Sequence, residues 1–182
     1  MKLVRNIVIG VVGVLALVMV IGLFLPRNVS VERSVVIDAP PEAVFARVNS
    51  LSGFNDWSPW YGRDPDALYA IEGPESGVGS KMSWKSDQKD VGSGTLEIVE
   101  SRAPEYVESA LDFGRQGGGI ASFTLEPAGE AGTEIRWSFS TDMGANPLAR
   151  YFGLMMDSYI GPDYETGLAK LKDVVEAEAA SS

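Results

Sequence analysis

The stretch NPLARYFGLMMDSYIGPDYETGLAKLKDVVEAE, Asn146 to Glu178, decides how the rest of this chain must fold. Its pattern predicts two helical runs that meet at Gly161-Pro162. In the second run Tyr164, Leu168, Leu171 and Val175 recur at four- and three-residue steps, while Lys170, Lys172, Asp173 and Glu176 fall elsewhere on the turn. That is an amphipathic helix, and its apolar face needs a partner. The first run opens on Asn146-Pro147, a capping residue followed by Pro at the first helical position. It then carries Leu148, Tyr151, Phe152, Leu154, Met155, Met156, Tyr159 and Ile160, apolar over more than one face. Three roles fit such a run: plain burial, a pliable lid pivoting on Gly161-Pro162, or a surface for a bilayer or a protein partner.

The partner for the helix comes from the middle of the chain. Val29, Val31, Val35 and Ile37 alternate with Ser30, Glu32 and Ser34, as in a half-buried strand, and Ala39-Pro40-Pro41-Glu42 stops it. A short helix is predicted after Pro41, with Val44 and Val48 on one face, and a second from Leu51 toward Trp57, ended by Pro59. Alternation then returns in about six segments: Leu68–Ile71, Met82 and Trp84, Leu96 and Ile98, Val107 with Leu111 and Phe113, Ala121 with Phe123 and Leu125, and Ile135 with Trp137 and Phe139. The turns between them are short, so neighbours are antiparallel and form a meander. One face is aromatic and aliphatic, the other charged. A curved sheet of about seven strands closing around the terminal helix is the economical arrangement. Ala177–Ser182 is expected to fray.

Residues Ile7 to Leu25 are nineteen in a row without a charged or polar side chain, about 28 Å as a helix and enough to cross a hydrocarbon core. An uncleaved anchor is favoured over a removed signal sequence, because Gly22-Leu23-Phe24-Leu25-Pro26-Arg27 offers no small-residue cleavage site. The chain thus divides into a tail and anchor, 1–27, and one domain, 28–182. Lys2 and Arg5 ahead of the span favour a cytoplasmic tail and an extracytoplasmic domain.

Composition removes whole classes of function. Among 182 residues there is no Cys and no His, which excludes disulfides, thiolate nucleophiles, Ser-His triads and the usual zinc sites. Lys2, Arg5 and Arg27 precede residue 28, leaving 12 cations against 25 anions, a net charge of about −13. Such a surface does not suit nucleic acid or flat electrostatic adsorption on anionic lipid.

Three stretches carry a family resemblance: Val35-Val36-Ile37-Asp38-Ala39-Pro40-Pro41-Glu42-Ala43-Val44-Phe45, Phe54-Asn55-Asp56-Trp57-Ser58-Pro59-Trp60, and Gly161 to Lys172 with its Gly167-Leu168-Ala169-Lys170-Leu171-Lys172 core. Together with the element order, the chain resembles the SRPBCC superfamily, the START and Bet v 1-like helix-grip fold, in its polyketide cyclase and dehydrase branch, membrane-anchored bacterial type. The resemblance implies an α+β fold with a deep hydrophobic cavity between sheet and helix. It implies no reaction, no cofactor and no metal, and no residue here matches a catalytic motif.

In such a fold Trp57 and Trp60 lie near one cavity mouth, to stack on a ligand or to plug the end. By strand parity Met82, Trp84, Phe113, Phe123, Trp137 and Phe139 line the concave face, either as cavity wall or as solid core. Phe152, Met155 and Tyr159 would close it as a lid. Asp38, Asp56, Asp157 and Asp163 are candidate general bases by position, but Asp38 and Asp163 look like turn and cap residues, and Asp157, two turns from Arg150 on roughly the same face, is expected to be a solvated charge. The chain is therefore expected to bind a hydrophobic small molecule, lipid- or polyketide-like, at a membrane and without chemistry. Two alternatives stand: a cyclase or dehydratase using Asp157, Tyr151 or Tyr159 as acid-base groups, and a protein-interaction module with a filled core that docks through residues 148–160.

Overall fold

A computed structural model describes residues 1–181. An apolar helix, α1 (Lys2–Phe24), leads into β1 (Asn28–Ile37), and two short helices follow, α2 (Pro41–Val48) and α3 (Phe54–Trp57). Six strands come next: β2 (Leu68–Glu72), β3 (Lys81–Lys85), β4 (Ser93–Arg102), β5 (Tyr106–Asp112), β6 (Gly118–Ala128) and β7 (Gly132–Asp142). The chain ends in α4 (Pro147–Gly153) and α5 (Met156–Ala179). The sheet is antiparallel throughout, in the order β1-β7-β6-β5-β4-β3-β2. This is the α+β helix-grip arrangement.

Strand parity holds as predicted: Ile135, Trp137 and Phe139 of β7 and Ala121, Phe123 and Leu125 of β6 are buried, and their neighbours are not. The long-range pairing of β1 with β7, Asn28 opposite Asp142 and Ile37 opposite Thr133, makes the first strand an edge of the meander. Register also sorts the two ends of the sheet. Asn28 pairs with Asp142, Gly118 with Asp112, and Ser93 with Lys85, so the point where the chain leaves α1 shares one end with the β3–β4 and β5–β6 connections.

The helical break differs from expectation. It falls at Leu154-Met155, where α4 closes through Leu154 N–H to Tyr151 O and Met155 N–H to Phe152 O, and α5 then runs unbroken through Gly161-Pro162. Pro162 lacks the N–H that would serve Ser158, a loss that packing outweighs. Gly161 is buried against the guanidinium of Arg33, and Met156, Tyr164 and Leu168 on the same stripe are buried in the core. Arg33 lies on the inner face of β1, between Val31 and Val35. Its Nε donates to Glu165 (2.7 Å) and its Nη1 to Asp157 (2.9 Å). Asp157 therefore pairs with Arg33 and not with Arg150. The helix also persists through Ala177–Ala179, where fraying was expected; Ser182 lies outside the described residues.

Near its middle α5 touches the sheet at a glycine. A Cβ on Gly167 would stand 2.8 Å from the Trp137 indole and 3.1 Å from Pro59 Cδ. Trp137 instead stacks flat on Tyr164 at 3.8 Å, and Trp57 meets it edge-on at 5.4 Å. With Phe123 they fill one half of the space between helix and sheet solidly. The core begins at Val31, and α1 buries only Gly22, so the chain after residue 27 retains every core side chain among the described residues.

Gly167→Ala gains about 1 kcal/mol of helix propensity but pushes a methyl group into the indole, an overpacking loss of about 1–3 kcal/mol. A net destabilisation is expected in urea unfolding of residues 28–182. On the same scale Leu171→Ala, fully buried, should lose about 2–5 kcal/mol. A Gly167→Ala variant more stable than wild type would show that the contact is not tight.

Candidate functional site

The other half of the space is hollow. A cavity of about 390 Å³ lies between the sheet and the start of α5. Its wall is Met82 and Trp84 of β3, Leu96 of β4, Leu111 of β5 with Phe113 beyond it, and Phe139 and Thr141 of β7. Its roof is Phe152 of α4 with Met156, Ile160, Asp163 and Tyr164 of α5. Phe54, Ser58, Trp60 and Tyr69 close the inner end against the aromatic plug.

Glycines on the strands keep this space open. Gly94 sits opposite Trp84, and a Cβ there would be 2.7 Å from the indole; Gly119 lies diagonal to Phe139, whose register partner is Ala121, and a Cβ on it would run into the Phe139 ring. Both aromatic rings can thus lie down on the sheet and leave volume above them.

The polar atoms of the lining are largely spoken for. Trp60 Nε1–H donates to Asp163 Oδ2 (3.1 Å), and Arg63 donates to the other carboxylate oxygen. Trp84 Nε1–H donates to Val91 O (3.3 Å), and Thr141 Oγ1–H to Gly118 O (2.6 Å). What remains facing inward is mainly hydrocarbon and aromatic surface. The exposed lining residues, Lys89, Asp90, Ser93, Gln116, Gly118 and Phe152, gather at the sheet end where β1 begins, and they form the mouth. A second hollow of about 540 Å³ lies at the opposite end, over Ala128–Gly132, but it is an open dish of small residues and backbone with no aromatic wall.

Of the residues singled out in the sequence, Trp60, Met82, Trp84, Phe113, Phe139 and Phe152 line the cavity. Trp57, Phe123 and Trp137 lie behind it in the plug. Met155 and Tyr159 face outward, 49% and 58% exposed. Phe54, Tyr69, Leu96, Leu111, Met143 and Tyr164 also line the cavity without a site assignment in the sequence, and Met156 and Ile160 enter there only as members of the apolar run 148–160. A signal existed for three of them: Met156, Ile160, Tyr164 and Leu168 form a four-residue ladder that passes straight through Gly161-Pro162. Tyr69 stands on a five-residue edge strand whose other positions are exposed, and no pattern marks it.

The proposed acid-base groups lie elsewhere. Asp157 faces Arg33, whose hydrogen bond holds its carboxyl below the usual carboxylate range. Tyr151 O–H donates to Val18 O (2.8 Å) in α1, and Tyr159 stacks on Phe152 at the surface. The interior is not filled solid, which the interaction-module alternative requires.

Burial raises the Tyr164 phenol far above the usual phenol range. An unfolded tyrosine ionises near pH 10. A folded value above the unfolded one stabilises nothing below pH 10 and penalises the fold above it, since only the unfolded chain then releases the proton. Denaturant midpoints of residues 28–182 should therefore fall between pH 10 and 11 more steeply than those of Tyr164→Phe. Parallel curves would mean that Tyr164 titrates freely.

No curated protein sequence matches the chain. Among solved structures it is similar to the Aha1 dimer protein of Colwellia psychrerythraea, 19% identical, with 81% of this chain and 96% of that one covered and a TM-score of 0.55. A truncated norcoclaurine synthase from Thalictrum flavum is 12% identical over 81% of this chain and 93% of its own, with a TM-score of 0.64. A protein of unknown function from Staphylococcus aureus is 13% identical over 84% and 96%, with a TM-score of 0.65. These likenesses show the fold. Residues 28–176 match the family described as polyketide cyclase / dehydrase and lipid transport. The chain belongs to that family, within the SRPBCC superfamily of Bet v 1-like folds.

Proposed function

We propose that this protein binds one hydrophobic small molecule, lipid- or polyketide-like, in the cavity beneath α5, and holds it at a membrane without transforming it. The observation that carries this is the aromatic and aliphatic enclosure of about 390 Å³, within the roughly 300–1,000 Å³ range of small-molecule sites. Burying apolar area contributes about 25 cal/mol per Å², so a guest here needs few polar contacts. Trp60, Met82, Trp84, Phe113, Phe139 and Phe152 supply the contact surface, with Tyr164 and Met156 above. Trp57, Phe123 and Trp137 hold the inner end of the wall rigid. α1 acts as a single-pass anchor, with Lys2 and Arg5 retained in the cytoplasm and the domain on the extracytoplasmic side. The family description includes lipid transport, which supports a carrier.

Residues 28–182 purified from cells should carry an extracted apolar guest in native mass spectrometry, or take up an environment-sensitive apolar dye with one-site saturation. Leu111→Trp, which adds an indole to the wall, should weaken dye binding at least tenfold while leaving the circular dichroism spectrum unchanged. No guest and no dye uptake by folded protein would reject the proposal.

A further inference from the structure

The mouth of the cavity, the exit from α1 and an uncovered apolar patch occupy the same end of the molecule. α4 docks on the last turns of α1. A Cβ on Gly22 would lie 2.7 Å from Pro147 O and 3.0 Å from the Tyr151 ring. Arg150 Nη1 donates to Leu23 O (2.8 Å) and Leu25 O (3.3 Å). Tyr151 O–H reaches further back, to Val18 O at 2.8 Å. Val18 precedes Phe24 by six residues, about 9 Å along the axis.

Around this contact Leu148, Phe152, Leu154 and Tyr159 are 54–58% exposed. Such an exposed apolar group, continuous with a helix of membrane-spanning length, needs a cover. The depth of the Tyr151 bond supplies one. If α1 crosses a bilayer ending near Phe24, the Tyr151 side of α4 lies below the boundary of the acyl layer. Interfacial helices bury their apolar faces by about 5–10 Å. Arg150, bonded to carbonyls at the end of α1, sits where a guanidinium snorkels to the headgroups.

We infer that α4 and the start of α5 form a foot set into the acyl layer of the bilayer that holds α1, so that the cavity opens through Phe152 onto lipid and receives its guest from the membrane. This rests on reading α1 as an anchor. Phe152 belongs to both surfaces: it lines the cavity and is 57% exposed beside the patch. A net-negative domain gains little from anionic headgroups, and the foot needs none, because its contact is apolar.

The chain has no Cys, so single cysteines place spin labels without background. Full-length protein would be reconstituted in phosphatidylcholine vesicles with nitroxides at Leu148→Cys or Leu154→Cys on the foot, and at Val12→Cys within α1. Glu75→Cys and Glu130→Cys, at the far end of the sheet, serve as water references. The ratio of oxygen to water-soluble nickel accessibility should be severalfold higher at 148 and 154 than at 75 and 130, and high at 12. A high ratio at 12 with water-like values at 148 and 154 overturns the foot and leaves the anchor standing. Shielding from both reagents at 148 and 154 also overturns it, in favour of a second copy or another protein. A water-like value at 12 overturns anchor and foot together, while guest binding by residues 28–182 is tested separately.

Discussion

The flat contact between Trp137 and Tyr164, made possible by Gly167, is the constraint on which the rest of the molecule depends. At that point α5 comes as close to the sheet as a helix without a Cβ allows. The helix is stiff and the sheet is curved, so contact at one place forces separation at another. Beyond Tyr164 toward the N-terminus of α5, Met156 and Ile160 on one side and Leu96, Leu111 and Phe139 on the other line the cavity. The solid and hollow halves have one origin. Packing density in the plug is what keeps the hollow from collapsing, since the helix cannot sink without driving Gly167 into an indole.

A second set of contacts stops the helix from rolling about that point. Lys172 Nζ donates to Val36 O (2.7 Å), and Glu176 accepts from Asp38 N–H (2.9 Å). Together with the Arg33 contacts to Asp157 and Glu165, these tie α5 along β1 for most of its length. The two acids are eight residues apart, two turns on one stripe, with Gly161 between them over the guanidinium. These bonds are exposed on the carboxylate side, so each adds little stability; they set the angle of the helix more than they hold it down. The ladder of Leu168, Leu171 and Val175, all buried, does the holding.

Much of this was legible in the chain. Alternation identified the inner face of every strand but β2, and the spacing of Tyr164, Leu168, Leu171 and Val175 identified the gripping helix, because burial on one side leaves a period in the sequence. Local propensity marks Gly161-Pro162 as a joint, but the tertiary packing of Met156, Ile160 and Tyr164, the ladder that crosses it, overrides one lost hydrogen bond. The hollow itself left no direct mark. A wall and a core use the same side chains, so Trp57 and Trp60, three residues apart, could not be sorted into plug and lining. The discriminating residues were glycines: Gly94, Gly119 and Gly167 decide which rings lie flat and where the helix touches. Their effect is a matter of ångströms between elements distant in sequence, and neither periodicity nor propensity encodes it.

The direction in which the cavity opens follows from one topological fact. β1 pairs with β7 in an antiparallel register that sets Asn28 beside Asp142. The chain therefore enters the sheet from α1 and leaves it toward α4 at the same corner, a junction closed by Arg27 and Asp142 at 2.6 Å and by Met143 N–H to Arg27 O. Only a few residues separate Asp142 from Pro147, so α4 has no choice but to lie against the end of α1. α5, starting immediately after, must begin its course over the sheet from that corner. Its first turns roof the cavity before it reaches the Gly167 contact, so the hollow half faces α1 and the solid half faces away. Reversing the opening would require a different strand order, not different side chains. In this fold the orientation of the mouth is set by strand pairing, and the lining residues set only the shape and polarity of the space behind it.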